Sequence, residues 1–235
     1  MLTASGEFCD SRTRNGTRVS GFHVLEQSVL GCEPGDSLAR DSGDCEEVLF
    51  VLSGEGVLHA GGEDHALEPE SGAYVAPGES YEIEVGGVEA LRMVAVRVPD
   101  PVQADAGPRA AVRRLADQQA AAATTQREFR IVADPASGLR SATHFVGYIP
   151  PLRAPDHFHT YDEVIYVLDG AGVMHVDGAE HPVAAGSSIE LPARTVHCLE
   201  NTCETVMRIV AVFRPAGSPA EAYYPDGTPA YAEKP

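Results

Sequence analysis

Tryptophan is absent from this chain of 235 residues, and basic residues are scarce: 17 Lys and Arg stand against 35 Asp and Glu, a formal charge of −18 at pH 7. That balance argues against nucleic acid as a partner, because affinity for phosphate backbones comes from clustered cations. No apolar run approaches the roughly 18 residues of a membrane span, and the opening MLTASGEFCDSRTRNG has no apolar core of signal-peptide length. The expectation is a cytoplasmic chain with no membrane partner. Cys9, Cys32, Cys45, Cys198 and Cys203 are odd in number and lack CxxC spacing, so reduced thiols are expected rather than a disulfide framework or a thiolate zinc site. Also missing are GxSxG, a Walker loop and a GxGxxG between strand and helix, which leaves serine-hydrolase, nucleotide and dinucleotide readings without support.

Turn chemistry, by contrast, is abundant, with 23 Gly and 17 Pro. The chain also repeats once. EVLFVLSGEGVLHAGGEDHAL, from Glu47, aligns with EVIYVLDGAGVMHVDGAEHPV, from Glu163, matching Gly54 to Gly170, Gly56 to Gly172, His59 to His175 and His65 to His181. LRMVAVRVP and MRIVAVFRP continue the match after a slip of one or two residues near Gly72 and Gly186. Within each copy, short segments dense in Val, Ile and Tyr are broken by Gly and Pro, the pattern of an all-β sandwich or barrel. Residues 1–100 read as the first unit, 101–125 as a connection and 126–235 as the second unit. RAAVRRLADQQAAAA, residues 109–123, leans towards helix by propensity. The tail AGSPAEAYYPDGTPAYAEKP is expected to drape over a barrel, with Tyr223 and Tyr224 as anchors, or to be partly mobile.

One constellation in the second unit carries chemistry. In APDHFHTYDEVIYVLDGAG, His157 and His159 are two residues apart, so on a strand they face the same way. Glu163 can join them after a local turn, and His197 heads a returning strand after GSSIELPART. Three imidazoles and a carboxylate suit one borderline divalent metal per chain, iron(II), manganese, nickel, copper or zinc, and leave coordination positions open. Affinity for it is expected to fall as pH drops through the histidine range near 6.5.

These residues resemble the two motifs of the cupins: HxH, three residues, E, six residues, G, here His157, His159, Glu163 and Gly170; then G, five residues, PxG, two residues, H, three residues, N, here Gly186, Pro192, His197 and Asn201. Pro151 and Arg194 stand where the family has glycine. The resemblance implies two tandem double-stranded β-helix (jelly-roll) barrels, a bicupin, and metal ligands His157, His159, Glu163 and His197; the short helical connection expected between the barrels comes from the propensity of residues 109–123. In the first unit Gly35, Glu47 and Gly54 keep the frame. Asp41 and Gly43 stand at the histidine positions, and Glu82 or a neighbour at the last one, so no transition-metal site is expected there; an all-oxygen site of Asp41, Glu47 and Glu82 is the lesser alternative.

His59 and His65 recur in the unit without the motif, so His175 and His181 read as structural. His144 and Tyr148, which align with Ser28 and Cys32 in the first unit, have a polarity peculiar to the second unit and are candidates for lining the pocket, as is Arg194, which could clamp a substrate carboxylate. Cys198 is expected to point away from the ion. The expected function is a metal-dependent enzyme on a small organic molecule, a dioxygenase-type oxidoreductase on a flavonol-like or diketone compound. A non-redox isomerase, cyclase or aminohydrolase and a small-molecule sensor are the alternatives. A monomer or homodimer is expected.

Overall fold

A strand buried on one face alternates apolar and polar residues, whereas one buried on both faces is apolar throughout. EEVLFVLS and DEVIYVLD are of the second kind, and the stacking of the two repeats explains why. The computed structural model describes residues 25–102 and 107–230. The first repeat comprises β1 (Glu26–Cys32), β2 (Ser37–Asp41), β3 (Glu46–Ser53), β4 (Glu55–Ala60), β5 (Glu63–Leu67), β6 (Ser71–Val75), β7 (Ser80–Gly86) and β8 (Leu91–Val98). β9 (Ala110–Arg114) and β10 (Ala120–Ala122) follow in the connection. The second repeat comprises β11 (Glu128–Ala133), β12 (Thr143–Ile149), β13 (Asp162–Asp169), β14 (Ala171–Val176), β15 (Ala179–Ala184), β16 (Ser188–Leu191), β17 (His197–Asn201) and β18 (Met207–Arg214). Each repeat forms a jelly-roll barrel of two antiparallel sheets: β1-β8-β3-β6-β9 with β2-β7-β4-β5, and β10-β11-β12-β18-β13-β16 with β15-β14-β17.

Even-numbered residues such as Val48, Phe50, Val94, Val96, Val146, Val164, Val210 and Val212 form one apolar layer shared by the two barrels. Odd-numbered neighbours fill the barrel interiors, Leu49, Val51 and Met93 in the first and Phe145, Ile165, Ile209 and Phe213 in the second. Burying each such side chain contributes roughly 1.5–3 kcal/mol relative to leaving it exposed, so the layer between the barrels stabilises both. A Cβ on Gly72 would come within 2.0 Å of Val132 Cγ1; glycine there is what lets β6 approach β11. Across the same interface the Glu46 carboxylate accepts the backbone N–H groups of Arg140 and Ser141 at 2.7 and 3.0 Å.

The helix expected over residues 109–123 does not form. AAVRR pairs with β6 as β9, LAD makes one 3-10 turn, and AAA pairs with β11 as β10. Helix propensity is worth only tenths of a kcal/mol per residue; hydrogen bonding to two otherwise open sheet edges outweighs it.

Strand register also relocates the slip. Phe50 lies opposite Gly72 as Tyr166 lies opposite Ser188, so nothing slips near Gly72. Arg40 lies opposite Tyr81 as His157 lies opposite His197, which puts the one-residue offset between β2 and β3. The tail drapes over the second barrel. Phe158 and Tyr223 exchange backbone hydrogen bonds of 2.8 and 2.9 Å and their rings stack. Tyr223 is its anchor, whereas Tyr224 is exposed. Among the described residues no helix is long and apolar enough to cross a membrane, and none of Cys32, Cys45, Cys198 and Cys203 forms a disulfide there; Cys9 lies outside the described residues.

Candidate metal centre

His197 opens β17, and its backbone N–H and carbonyl bond the carbonyl and N–H of His157 at 2.8 and 3.0 Å. That bridge sets the two imidazoles side by side. His159 follows two residues later on the same face. The ring centroids of the three histidines lie 4.7, 5.1 and 5.2 Å apart, and their ligand nitrogens all fall within 4.8 Å of one another. Tyr161 stacks on the His159 ring at 4.6 Å and on Phe213 at 3.9 Å, holding the imidazole from behind.

The outward nitrogens decide the tautomer. His157 Nδ1 meets the Pro155 carbonyl at 2.9 Å, His197 Nδ1 the Thr195 carbonyl at 2.9 Å and His159 Nδ1 the Glu221 carbonyl at 2.6 Å. A carbonyl only accepts, so each Nδ1 carries the proton and each lone pair sits on Nε2. Burial pushes the His157 imidazole down, His159 down to about 4 with His157 as second cause, and His197 well below its ordinary value. All three are therefore neutral donors, the form that binds a metal. This donor set, three imidazole lone pairs aimed at one point, fits a divalent transition ion.

Glu163 lines the same cavity but stands outside the 4.8 Å cluster. Burial pushes its carboxyl up to about 8, with the charge of Arg127 pulling the other way. Of the four ligands expected from the sequence, the structure thus gathers three tightly and sets the fourth beside them. The cavity offers 80 Å³ to the centre of a water molecule and is walled by Phe129, Phe145, Ile149, Ile165, Met174 and Leu199.

The expected pocket residues fare differently. His144 is buried in the layer between the barrels, edge-on to Phe50 at 6.0 Å; being even-numbered, it points away from the cavity that Phe145 and Ile149 face. Tyr148 borders the cavity, but its ring packs on that same layer and faces the guanidinium groups of Arg130 and Arg208. Arg194 is exposed, adopts φ +67° where the family has glycine, and donates its N–H to the His159 carbonyl at 2.7 Å. Its side chain is not in the cavity wall. Cys198 is buried with its thiol on the Ala154 carbonyl, and His175 bonds Glu200 at 2.8 Å as a structural residue. Arg127, which no motif marked, lines the cavity. A lone basic residue ahead of a strand carries no signal in the sequence.

In the first barrel Arg40, Ser42, Glu47 and Tyr81 occupy the places of His157, His159, Glu163 and His197. Arg40 donates Nη2 to the buried Glu47 carboxylate and Nε to Tyr81 Oη at 2.8 Å. Ser42 bonds the Ala76 carbonyl. These pairings correct the expected counterparts Asp41, Gly43 and Glu82. Asp41 faces outward to Ser80 and Gly43, so the all-oxygen site is not assembled.

Residues 145–213 match the family model "Cupin domain". Protein SchB of Streptomyces halstedii is 32% identical over 62 residues, 26% of this chain and 45% of that protein. Protein MJ1618 of Methanocaldococcus jannaschii is 32% identical over 57 residues, 24% and 46% respectively. These matches span less than half the length of either relative. Among solved structures, Ylba from E. coli superposes with TM-score 0.69 at 14% identity, over 91% of this chain and 89% of that one. A single-residue mutant of oxalate decarboxylase OxdC from Bacillus subtilis superposes with TM-score 0.67 at 14% identity, over 83% and 70%. At such identities the likeness is one of fold.

Proposed function

We propose that this chain, whose second unit belongs to the cupin superfamily and whose two units share its barrel fold, is a metal-dependent enzyme that oxygenates a small organic molecule. The observation that carries the reading is the triad of Nε2 lone pairs, each fixed by a carbonyl on the opposite side of its ring. His157, His159 and His197 would hold the ion, with Glu163 completing the set. A divalent transition metal in that cage supplies a Lewis-acidic, redox-capable centre with positions left open to substrate and dioxygen. The apolar wall excludes water from the reacting molecule, and the three backbone carbonyls keep each histidine in one orientation throughout. Manganese(II) centres are described for Bacillus subtilis oxalate decarboxylase, a neighbour in fold, which supports a divalent ion without naming the one used here.

Size narrows the substrate. One water needs roughly 10–15 Å³ on the measure that gives this cavity 80 Å³, so a molecule of a few carbons suits it better than a flavonol. The test is to purify the protein anaerobically, reload it with iron(II), manganese, nickel or zinc, and follow oxygen uptake against small enols, catechols and 2-oxo acids. Oxygen consumption with a redox metal is expected. Strong turnover with zinc and no oxygen consumed would reject the reading.

Glu163 favours a second, non-redox reading. A carboxyl set beside the histidine cluster, with its proton held up to about 8, suits general acid–base catalysis in an isomerase or aminohydrolase. Substrate that exchanges hydrogen with deuterated water, without oxygen and dependent on Glu163, would favour it.

A further inference from the structure

Among the described residues, Arg127 is the only Arg or Lys in the wall of the metal cavity. Its Nη2 donates to the Leu199 carbonyl at 2.5 Å, fixing the guanidinium against β17. Its Nε is buried and has no hydrogen-bond partner. A desolvated cationic N–H left without an acceptor is costly, and among the described ion pairs none involves Arg127. The wall around the guanidinium, Phe129, Phe145, Ile165 and Leu199, offers that Nε–H no acceptor. An anionic occupant of the cavity would supply one.

We propose that the cavity takes a small 2-hydroxy or 2-oxo carboxylate, whose carboxylate oxygen accepts the Arg127 Nε–H while its 2-oxygen faces the histidine triad. Arg127 is then a substrate-binding residue that sets both charge and orientation. This deepens the metal reading and rests on it for the 2-oxygen contact; the Arg127 contact stands without an ion.

The test is a calorimetric titration of the full chain, metal-free and manganese-loaded, with lactate and with lactamide, its uncharged amide. Lactate is expected to bind both forms roughly 10- to 100-fold tighter than lactamide, the range of a charge-assisted hydrogen bond in a desolvated pocket. Arg127→Gln should bring lactate to the affinity of lactamide and leave lactamide unchanged, and Arg127→Lys should recover part of the difference. Equal binding of the two probes by the parent, no binding of either, or lactate binding unaffected by Arg127→Gln overturns the inference, as does an equal loss of both probes in a folded variant. Where Arg127→Gln does not fold, Arg127→Lys decides: an unchanged preference for lactate contradicts the Nε contact, and a reduced one supports it. Failure of the metal reading looks different, since manganese would not be retained while Arg127-dependent lactate binding to the metal-free chain persisted.

Discussion

Glu47 and Glu163 occupy the same place in the two barrels, both buried, and a buried carboxylate needs a positive partner. In the first barrel Arg40 supplies it, with Tyr81 accepting from its Nε; in the second, an ion does so in our account. Arg40→Ala would leave Glu47 unpaired in the interior and should cost about 3–5 kcal/mol in urea unfolding. The double variant Arg40→Met/Glu47→Leu should recover most of that. A loss under about 1 kcal/mol in the single variant would show that the pair is not what fills the first site. Glu163 yields a prediction of sign. Its carboxyl is pushed up to about 8, so below that pH an ion must displace a proton, and affinity should rise tenfold per pH unit from about pH 5 to 8 and level off above. His159, down at about 4, is already neutral in that window, so the turning point lies above the 6.5 that unperturbed histidines suggest. Manganese affinity measured across pH should lose this slope in Glu163→Gln.

Among the elements, the tail matters more than its composition suggests. The Glu221 carbonyl is the partner of His159 Nδ1, and the Phe158–Tyr223 strand pair holds that carbonyl in position. Tyr223→Ala should weaken metal binding roughly 10-fold, as loss of an outer-shell partner does, with little effect on the melting temperature of the barrels. Unchanged metal affinity would remove the tail from the site. The sequence reveals a tail over a barrel but not this contact, because a backbone acceptor leaves no residue signature. The same limit applies to residues 109–123, where propensity favours helix while the open edges of β6, distant in sequence, and of β11, the next strand, decide for strand. It applies again to His144: alternation was legible, but which phase faces the cavity depends on the first barrel lying against β12.

At the scale of the whole molecule, the repeat made the architecture readable, since two copies of one strand pattern imply two equivalent barrels. The histidine triad was readable because HxH bridges to the strand that the later histidine opens. Arg40 as substitute for the ion was not, because a one-residue offset between β2 and β3 hid its equivalence with His157. The resulting asymmetry, one barrel closed by an ion pair and one open to a metal, is the central claim. Its most direct test is metal content per chain after loading with excess manganese and removing unbound ion, for the parent and for His157→Ala/His197→Ala. One equivalent in the parent and none in the double variant is the predicted result. Two equivalents, or one that survives the double substitution, would contradict the account.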